Sequence, residues 1–345
     1  MRLKFWGVRG SIPCPPSQEE FRGKIKSILE QWVAAQPNCR DEHDLDRFLD
    51  SLPKGQASFV GGNTPCLSID FGQEILVFDA GTGLKNLGQY LVPNHISELL
   101  ELFYLTEKIG ALGFDIGGKY WPTHRLHLFM THTHWDHIQG FPFFRPAYAP
   151  NYIIDIYGAN KEAVKTALLT QQTSPSLFPV PMDAYRATID FKDFPRQGQK
   201  IGDLFIEALP LPHPGASLAY RIKSPTKTVV FATDYEIQTL ELEGGASLIG
   251  LIDFIAQADI FISDAQYTYL EHATKTGWGH SNALSVVEIA SKAGVKNLYL
   301  FHHDPNYSDE KLLDILDKAR AYAKLIQNGS EMGVFLATEG LTIQI

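Results

Sequence analysis

Residues 126–141 read LHLFMTHTHWDHIQGF, and their reading decides the fold. The stretch begins as an apolar run of strand type and ends on four groups able to ligate a metal: His132, His134, Asp136 and His137. In an extended chain, residues i and i+2 share a face, so His132 and His134 can point the same way. A turn or helix start directly afterwards brings Asp136 and His137 toward a second ion, about 3.5–4 Å from the first in binuclear hydrolytic sites. Imidazole nitrogen and carboxylate oxygen are the donors that zinc and other borderline divalent metals take. A lone strand histidine is ordinarily a packed residue. Three histidines and an aspartate within six positions, directly after an apolar strand, form a ligand pattern.

Around this stretch the chain has the composition of a protein with a full core. Of its 345 residues 44% are apolar and 20% charged, which excludes a largely disordered chain. Lys and Arg number 30 against 39 Asp and Glu, a net charge of −9. That balance lacks the basic field of phosphate-tracking proteins and argues against a long nucleic acid as partner. Three cysteines, Cys14, Cys39 and Cys66, are too few for a disulfide framework and suit a reducing compartment. The N-terminus MRLKFWGVRG has no apolar signal region, and no stretch is long enough to span a bilayer. A cytoplasmic protein without a membrane partner is expected.

Short apolar runs alternate with helical patterns along the chain. Strands are expected at Arg2–Trp6, Cys66–Phe71, Glu74–Phe78, Leu126–Met130, Ile153–Tyr157, Leu204–Leu209, Leu218–Ile222, Thr228–Phe231, Ile260–Ser263, Asn297–Phe301, Val334–Ala337 and Leu341–Ile345. Helices are expected at Phe21–Gln36, His43–Leu49, Ile96–Ile109, Lys161–Gln171, Ser247–Gln257, Asn282–Ala293 and Asp309–Ile326, the last capped by Ser308. One domain over residues 1–345 is expected, with helical insertions at about 15–58 and 95–123 that read as lids or as surface decoration.

THTHWDH, residues 131–137, resembles the THxHxDH signature of the metallo-β-lactamase superfamily. The resemblance implies an α/β fold, the four-layer αββα sandwich, carrying a binuclear metal site. It also implies where the remaining ligands lie. His213 in LPLPHPGAS completes metal 1 with His132 and His134. Asp234 in TVVFATDYE bridges the two ions. In the phosphodiesterase-like branch, tRNA 3′-endonucleases included, the final ligand stands 22 residues after a GHS-type histidine; His280 in GWGHSNA points in this way to His302 rather than His303 in NLYLFHHDP. Metal 2 is then held by Asp136, His137 and His302. The ions are Zn2+ or Mn2+, with iron also suited to these donors.

The same resemblance gives Asp79 in LVFDAGTGL the task of orienting a ligating imidazole. Asp264 in FISDAQY is assigned a similar place, and His303 a supporting or surface one. Asn63 and Thr64 in GGNTPC, and Arg9 in RGSIP, are candidates for substrate contact. Core packing is the preferred reading of Trp135, Trp278, Phe141, Phe143 and Phe144, with base stacking as the other.

The leading expectation is hydrolysis of a small phosphodiester, first of all a 3′,5′-cyclic nucleotide. A metal-bridging hydroxide attacks phosphorus, with Asp136 essential to the metal site and His280 as general acid. The resemblance extends to phosphoribosyl cyclic phosphodiesterases, but the scattered cysteines do not reproduce their structural zinc site. A tRNA 3′-processing endonuclease is the first alternative, though no basic arm stands between His137 and His213. A thioester, lactone or β-lactam hydrolase is the second, and a non-catalytic sensor the third. A homodimer is compatible with the family's habit.

Overall fold

The structure is a computed structural model that describes residues 1–35, 42–52, 57–72, 74–92, 123–173, 177–237, 248–326, 329 and 331–345. Its strands are β1 (Arg2–Gly7), β2 (Cys66–Phe71), β3 (Glu74–Phe78), β4 (His124–Phe129), β5 (Tyr152–Gly158), β6 (Thr188–Asp193), β7 (Gln199–Ile201), β8 (Leu204–Leu211), β9 (Ser217–Lys223), β10 (Thr228–Ala232), β11 (Ile260–Asp264), β12 (Asn297–Phe301), β13 (Gly333–Leu336) and β14 (Thr342–Gln344). They form two seven-stranded sheets, in the orders β14-β1-β2-β3-β4-β5-β6 and β13-β12-β11-β10-β9-β8-β7. Each sheet is half parallel. β3 to β6 run together in the first, and β10 to β13 in the second.

The parallel strands need crossovers, and these supply the outer helices. On the first sheet, Leu126, Leu128, Ile154 and Ile156 are buried with Leu84 and Leu87 of helix Gly83–Leu91 and with Val164 and Leu168 of helix Lys161–Thr173. Helices Leu248–Ile255, Ala283–Lys292 and Asp309–Ala323 bury Leu251, Val287 and Leu316 in the same core as the second sheet. The strands covered on both faces read as continuous apolar runs, as β11 does with every residue buried. Between the sheets Phe78 and Phe129 of one meet Phe231 and Tyr220 of the other, at ring-centroid distances of 5.9 and 5.5 Å. The result is helix, sheet, sheet, helix: the αββα arrangement expected.

Several elements differ from the sequence reading. β6 and β7 were not expected; TIDFKD is charge-rich and lies at the edge of its sheet, where one side needs no apolar partner. Helix Gly83–Leu91 is absent from the expected helices, although the glycines of DAGTG, residues 79–83, suit a tight strand-to-helix turn and the helix begins at the last of them. The expected helix Ile96–Ile109, and the insertion 95–123 except its last residue, lie outside the described residues. The earlier insertion supplies helices Gln18–Ala35 and Glu42–Ser51, the former without a buried residue. Ser308 caps its helix as expected, accepting from the Lys311 amide. Among the described residues no helix is long and apolar enough to cross a membrane.

Phe129 is fully buried between the rings of Phe78 and Tyr157, at 5.2 and 4.9 Å. Phe129→Ala is expected to cost about 3–5 kcal/mol of stability, read from denaturant unfolding.

Candidate metal centre

The carboxyl ends of the parallel strands in both sheets converge on one place, where open α/β sheets bind their ligands. Asp79 follows β3; Thr131, His132 and His134 follow β4. Helix Trp135–Ile138 carries Asp136 and His137, and the β8–β9 turn carries His213. Asp234 follows β10, Asp264 ends β11 and His302 directly follows β12. Asp79, Asp234 and His302 have φ of 61°, 58° and 60°, left-handed backbone that non-glycine residues keep only where their surroundings impose it.

The donor atoms form two groups that share Asp234. In the first, His132, His134, His213 and Asp234 offer atoms all within 4.8 Å of one another. In the second, Asp136, His137 and His302 do the same. Asp234 Oδ1 lies 3.7 Å from His132 Nε2 and 3.8 Å from His213 Nε2. Its other oxygen, Oδ2, lies 3.2 Å from His137 Nε2 and 3.3 Å from His302 Nε2. Asp136 Oδ2 is 3.4 and 3.3 Å from the same two nitrogens.

The far nitrogens of three rings are held by neighbours. His132 Nδ1 meets Thr131 Oγ1 at 3.1 Å, His137 Nδ1 meets Asp79 Oδ2 at 2.9 Å and His213 Nδ1 meets the Gly279 carbonyl at 2.9 Å. This is how ligating imidazoles are oriented, with one nitrogen anchored and the other aimed. His132 Nε2 and His137 Nε2 are buried and have no hydrogen-bond partner. Burial pushes His132 and His213 below the usual histidine range, so each offers a lone pair. Burial works against charge on Asp136 and Asp234, but the surrounding histidines hold both below the usual carboxylate range. Burial would also discharge His137; Asp234, Asp136 and Asp79 outweigh it and raise His137 well above the ordinary value. Buried, aimed and unpaired nitrogens beside buried carboxylates fit two divalent cations.

Asp264 could be counted as a ligand, since it groups with Asp234, His280 and His302. Its oxygens are already taken by four donors: the amides of Asp234, Gln266 and Ser281, and His280 Nδ1 at 2.8 Å. Asp264 therefore reads as a holder of His280 and of the Asp234 backbone. His303 Nε2 bonds the Ala337 carbonyl at 2.9 Å, and burial followed by Arg9 pushes it down to about 3. The two neighbouring histidines thus face different tasks.

Other candidates lie apart from the donor groups. Asn63 bonds Glu339 through Nδ2, and its carbonyl accepts from Val8 and Arg9. Thr64 is fully buried and its hydroxyl accepts from the Thr82 amide. The Arg9 guanidinium is buried and donates to the carbonyls of Gly61, Asp304 and Tyr307. These contacts bind a turn together and leave phosphate out of its account. What RGSIP does supply was missed: the Ser11 amide donates to Asp136 Oδ2 at 2.8 Å, and a Cβ on Gly10 would stand 2.6 Å from the His302 ring. Thr131, which bonds both Asp79 and His132, was also missed, although it opens the THTHWDH motif. Of the five aromatics, Phe141 and Phe144 are buried, whereas Trp135, Trp278 and Phe143 are 65%, 61% and 54% exposed, against the core reading.

The chain belongs to the family described as Beta-lactamase superfamily domain, which matches residues 123–303. A Ribonuclease Z from Brevibacillus brevis is 31% identical over 115 residues, 32% of each chain, so this protein spans about a third of that relative. A Ribonuclease Z from Oceanobacillus iheyensis is 26% identical over 241 residues, covering 56% of this chain and 76% of the relative. In structure, the metallo-beta-lactamase fold protein YhfI from Bacillus subtilis superposes with a TM-score of 0.58 at 19% identity, covering 99% of this chain and 98% of the other.

The raised His137 makes metal binding and protonation compete. In metal-free protein its stabilising contribution is complete below about pH 6.5 and is lost as pH rises through the raised folded value. A bound cation displaces that proton. The rise in melting temperature on adding zinc or manganese should therefore widen as pH rises above about 6.5. A rise that is flat or shrinks over this range contradicts the competition.

Proposed function

We propose that this chain is a binuclear metal-dependent hydrolase of phosphodiesters, with residues 1–345 forming one hydrolase domain. Metal 1 is assigned to His132, His134 and His213, metal 2 to Asp136, His137 and His302, and the bridge to Asp234. The observation that carries this reading is the Asp234 carboxylate, each oxygen of which faces a different group of imidazoles. When bound, two divalent cations supply Lewis-acid polarisation of a phosphoryl oxygen and a water acidic enough to attack phosphorus.

The chain's own residues then have distinct tasks. Asp79 and Thr131 fix His137 and His132, and the Gly279 carbonyl fixes His213. His280 is the general acid. Burial would lower it, but in the metal-free chain Asp264, Asp234 and Asp136 together raise it to about 9, and Asp264, which is in direct contact with the ring, favours the protonated form that an acid needs. Asp264 occupies Nδ1, which leaves the Nε2 proton to transfer to the departing alkoxide oxygen.

A small phosphodiester is the substrate class, and a 3′,5′-cyclic nucleotide the first choice within it. The exposed indoles of Trp135 and Trp278 support this choice, since they adjoin His134 and Gly279 in the chain and can offer flat apolar surface to a base. A second reading, tRNA 3′-end processing, is supported by the relatives named Ribonuclease Z. The net charge of −9 weighs against it, because polyanion binding rests on phosphate neutralisation.

Turnover of cyclic AMP and cyclic GMP by metal-loaded protein, beside cleavage of a precursor tRNA, separates the two. Multiple turnovers of a cyclic nucleotide that vanish in Asp136→Ala are expected. Cleavage of the tRNA alone would transfer the assignment to the second reading. His280→Ala should lower kcat about 10²–10⁴-fold for a diester with an alkoxide leaving group. It should have little effect with p-nitrophenolate, which leaves without a proton; equal losses on both would refute the acid role.

A further inference from the structure

Glu236 has no place in the ligand set or the acid step, yet it is a fully buried carboxylate two residues beyond Asp234. Its oxygens divide between the two ends of one segment. Oε1 lies 3.3 Å from His272 Nε2, in helix Tyr269–His272. Oε2 accepts from the amides of Gly277 at 2.8 Å and Gly279 at 3.2 Å. Both glycines stand at φ +85°, so the loop takes a path that side chains resist.

That loop bears on the first donor group. The Gly279 carbonyl accepts from His213 Nδ1, and a Cβ on Gly279 would stand 2.3 Å from the same nitrogen. The next residue is His280. Ser281 ties the loop back to the Glu236 strand end, donating to the Tyr235 carbonyl and accepting from the Ile237 amide. Beyond the two-metal assignment on which this rests, we infer that Glu236 is a positioning residue: it clamps residues 272–279 so that the Gly279 carbonyl fixes the His213 ring with Nε2 aimed at metal 1.

Metal affinity, measured by competition with a chromophoric chelator, tests this without reference to any substrate. Glu236→Asp keeps the charge but is one methylene too short to reach His272 and both glycine amides. It should weaken one zinc equivalent about 10–100-fold and leave the other within about threefold. Glu236→Gln keeps an oxygen for the two amides and should stay within about threefold of wild type for both. The melting temperature of the metal-free variants is read alongside. Unchanged affinity in Glu236→Asp overturns the proposal. So does equal weakening of both equivalents in step with a lowered melting temperature, which a merely structural role would give. If the wild-type chain binds one equivalent only, the two-metal assignment fails, and the same variant still decides whether Glu236 governs that remaining ion. Failure on cyclic nucleotides alone touches the substrate and leaves this result standing.

Discussion

Asp234 carries a negative charge that is almost wholly withdrawn from water, and its two oxygens face different histidines. A carboxylate buried alone would cost more than the net stability of a typical domain. Here Asp79, Asp136 and Asp264 are buried as well. Protonated histidines can offset part of that charge, as the raised His137 indicates. Imidazoles with their lone pairs aimed inward cannot do so, and His132 and His213 are of that kind. The proposed cations reconcile the two sets. They accept the lone pairs and neutralise the carboxylates in the same volume.

The fold places these groups by bringing the carboxyl ends of two half-parallel sheets to one edge of the sandwich. Residues as far apart in the chain as Asp79 and His302 meet because β3, β4, β10, β11 and β12 all end there. The aromatic layer ties this edge to the core, since the buried Phe78 and Phe129 directly precede Asp79 and Met130 in the chain. Hydrogen bonds to their far nitrogens then fix the rings of His132, His137 and His213. Asp79 serves two neighbours, Thr131 and His137, and Asp264 serves four donors.

Much of this was legible in the sequence, and the limits have physical causes. The strands covered on both faces announce themselves as apolar runs, so the central strands of both sheets were read within a residue or two at most ends. β6 was not, because an edge strand needs little apolar surface. The local ligand cluster could be read because i and i+2 geometry acts over a few residues. His213, Asp234 and His302 could be singled out only through the family resemblance, since spacing alone does not bring distant strands together. Supporting contacts through backbone atoms left almost no signal: the Ser11 amide on Asp136, the Gly279 carbonyl on His213 and the Glu236 clamp depend on chain path. The three carbonyls that accept from the Arg9 guanidinium, those of Gly61, Asp304 and Tyr307, are likewise a matter of chain path that the residues around Arg9 do not announce.

The central claim is that one carboxylate is shared by two ions, and a count of ions bound per chain in Asp234→Ala tests it most directly. Wild-type protein should hold two divalent ions at neutral pH, and the variant should lose tight binding of both while its metal-free form keeps the native circular dichroism. A variant that still holds two ions, or loses only one, would contradict a bridging Asp234.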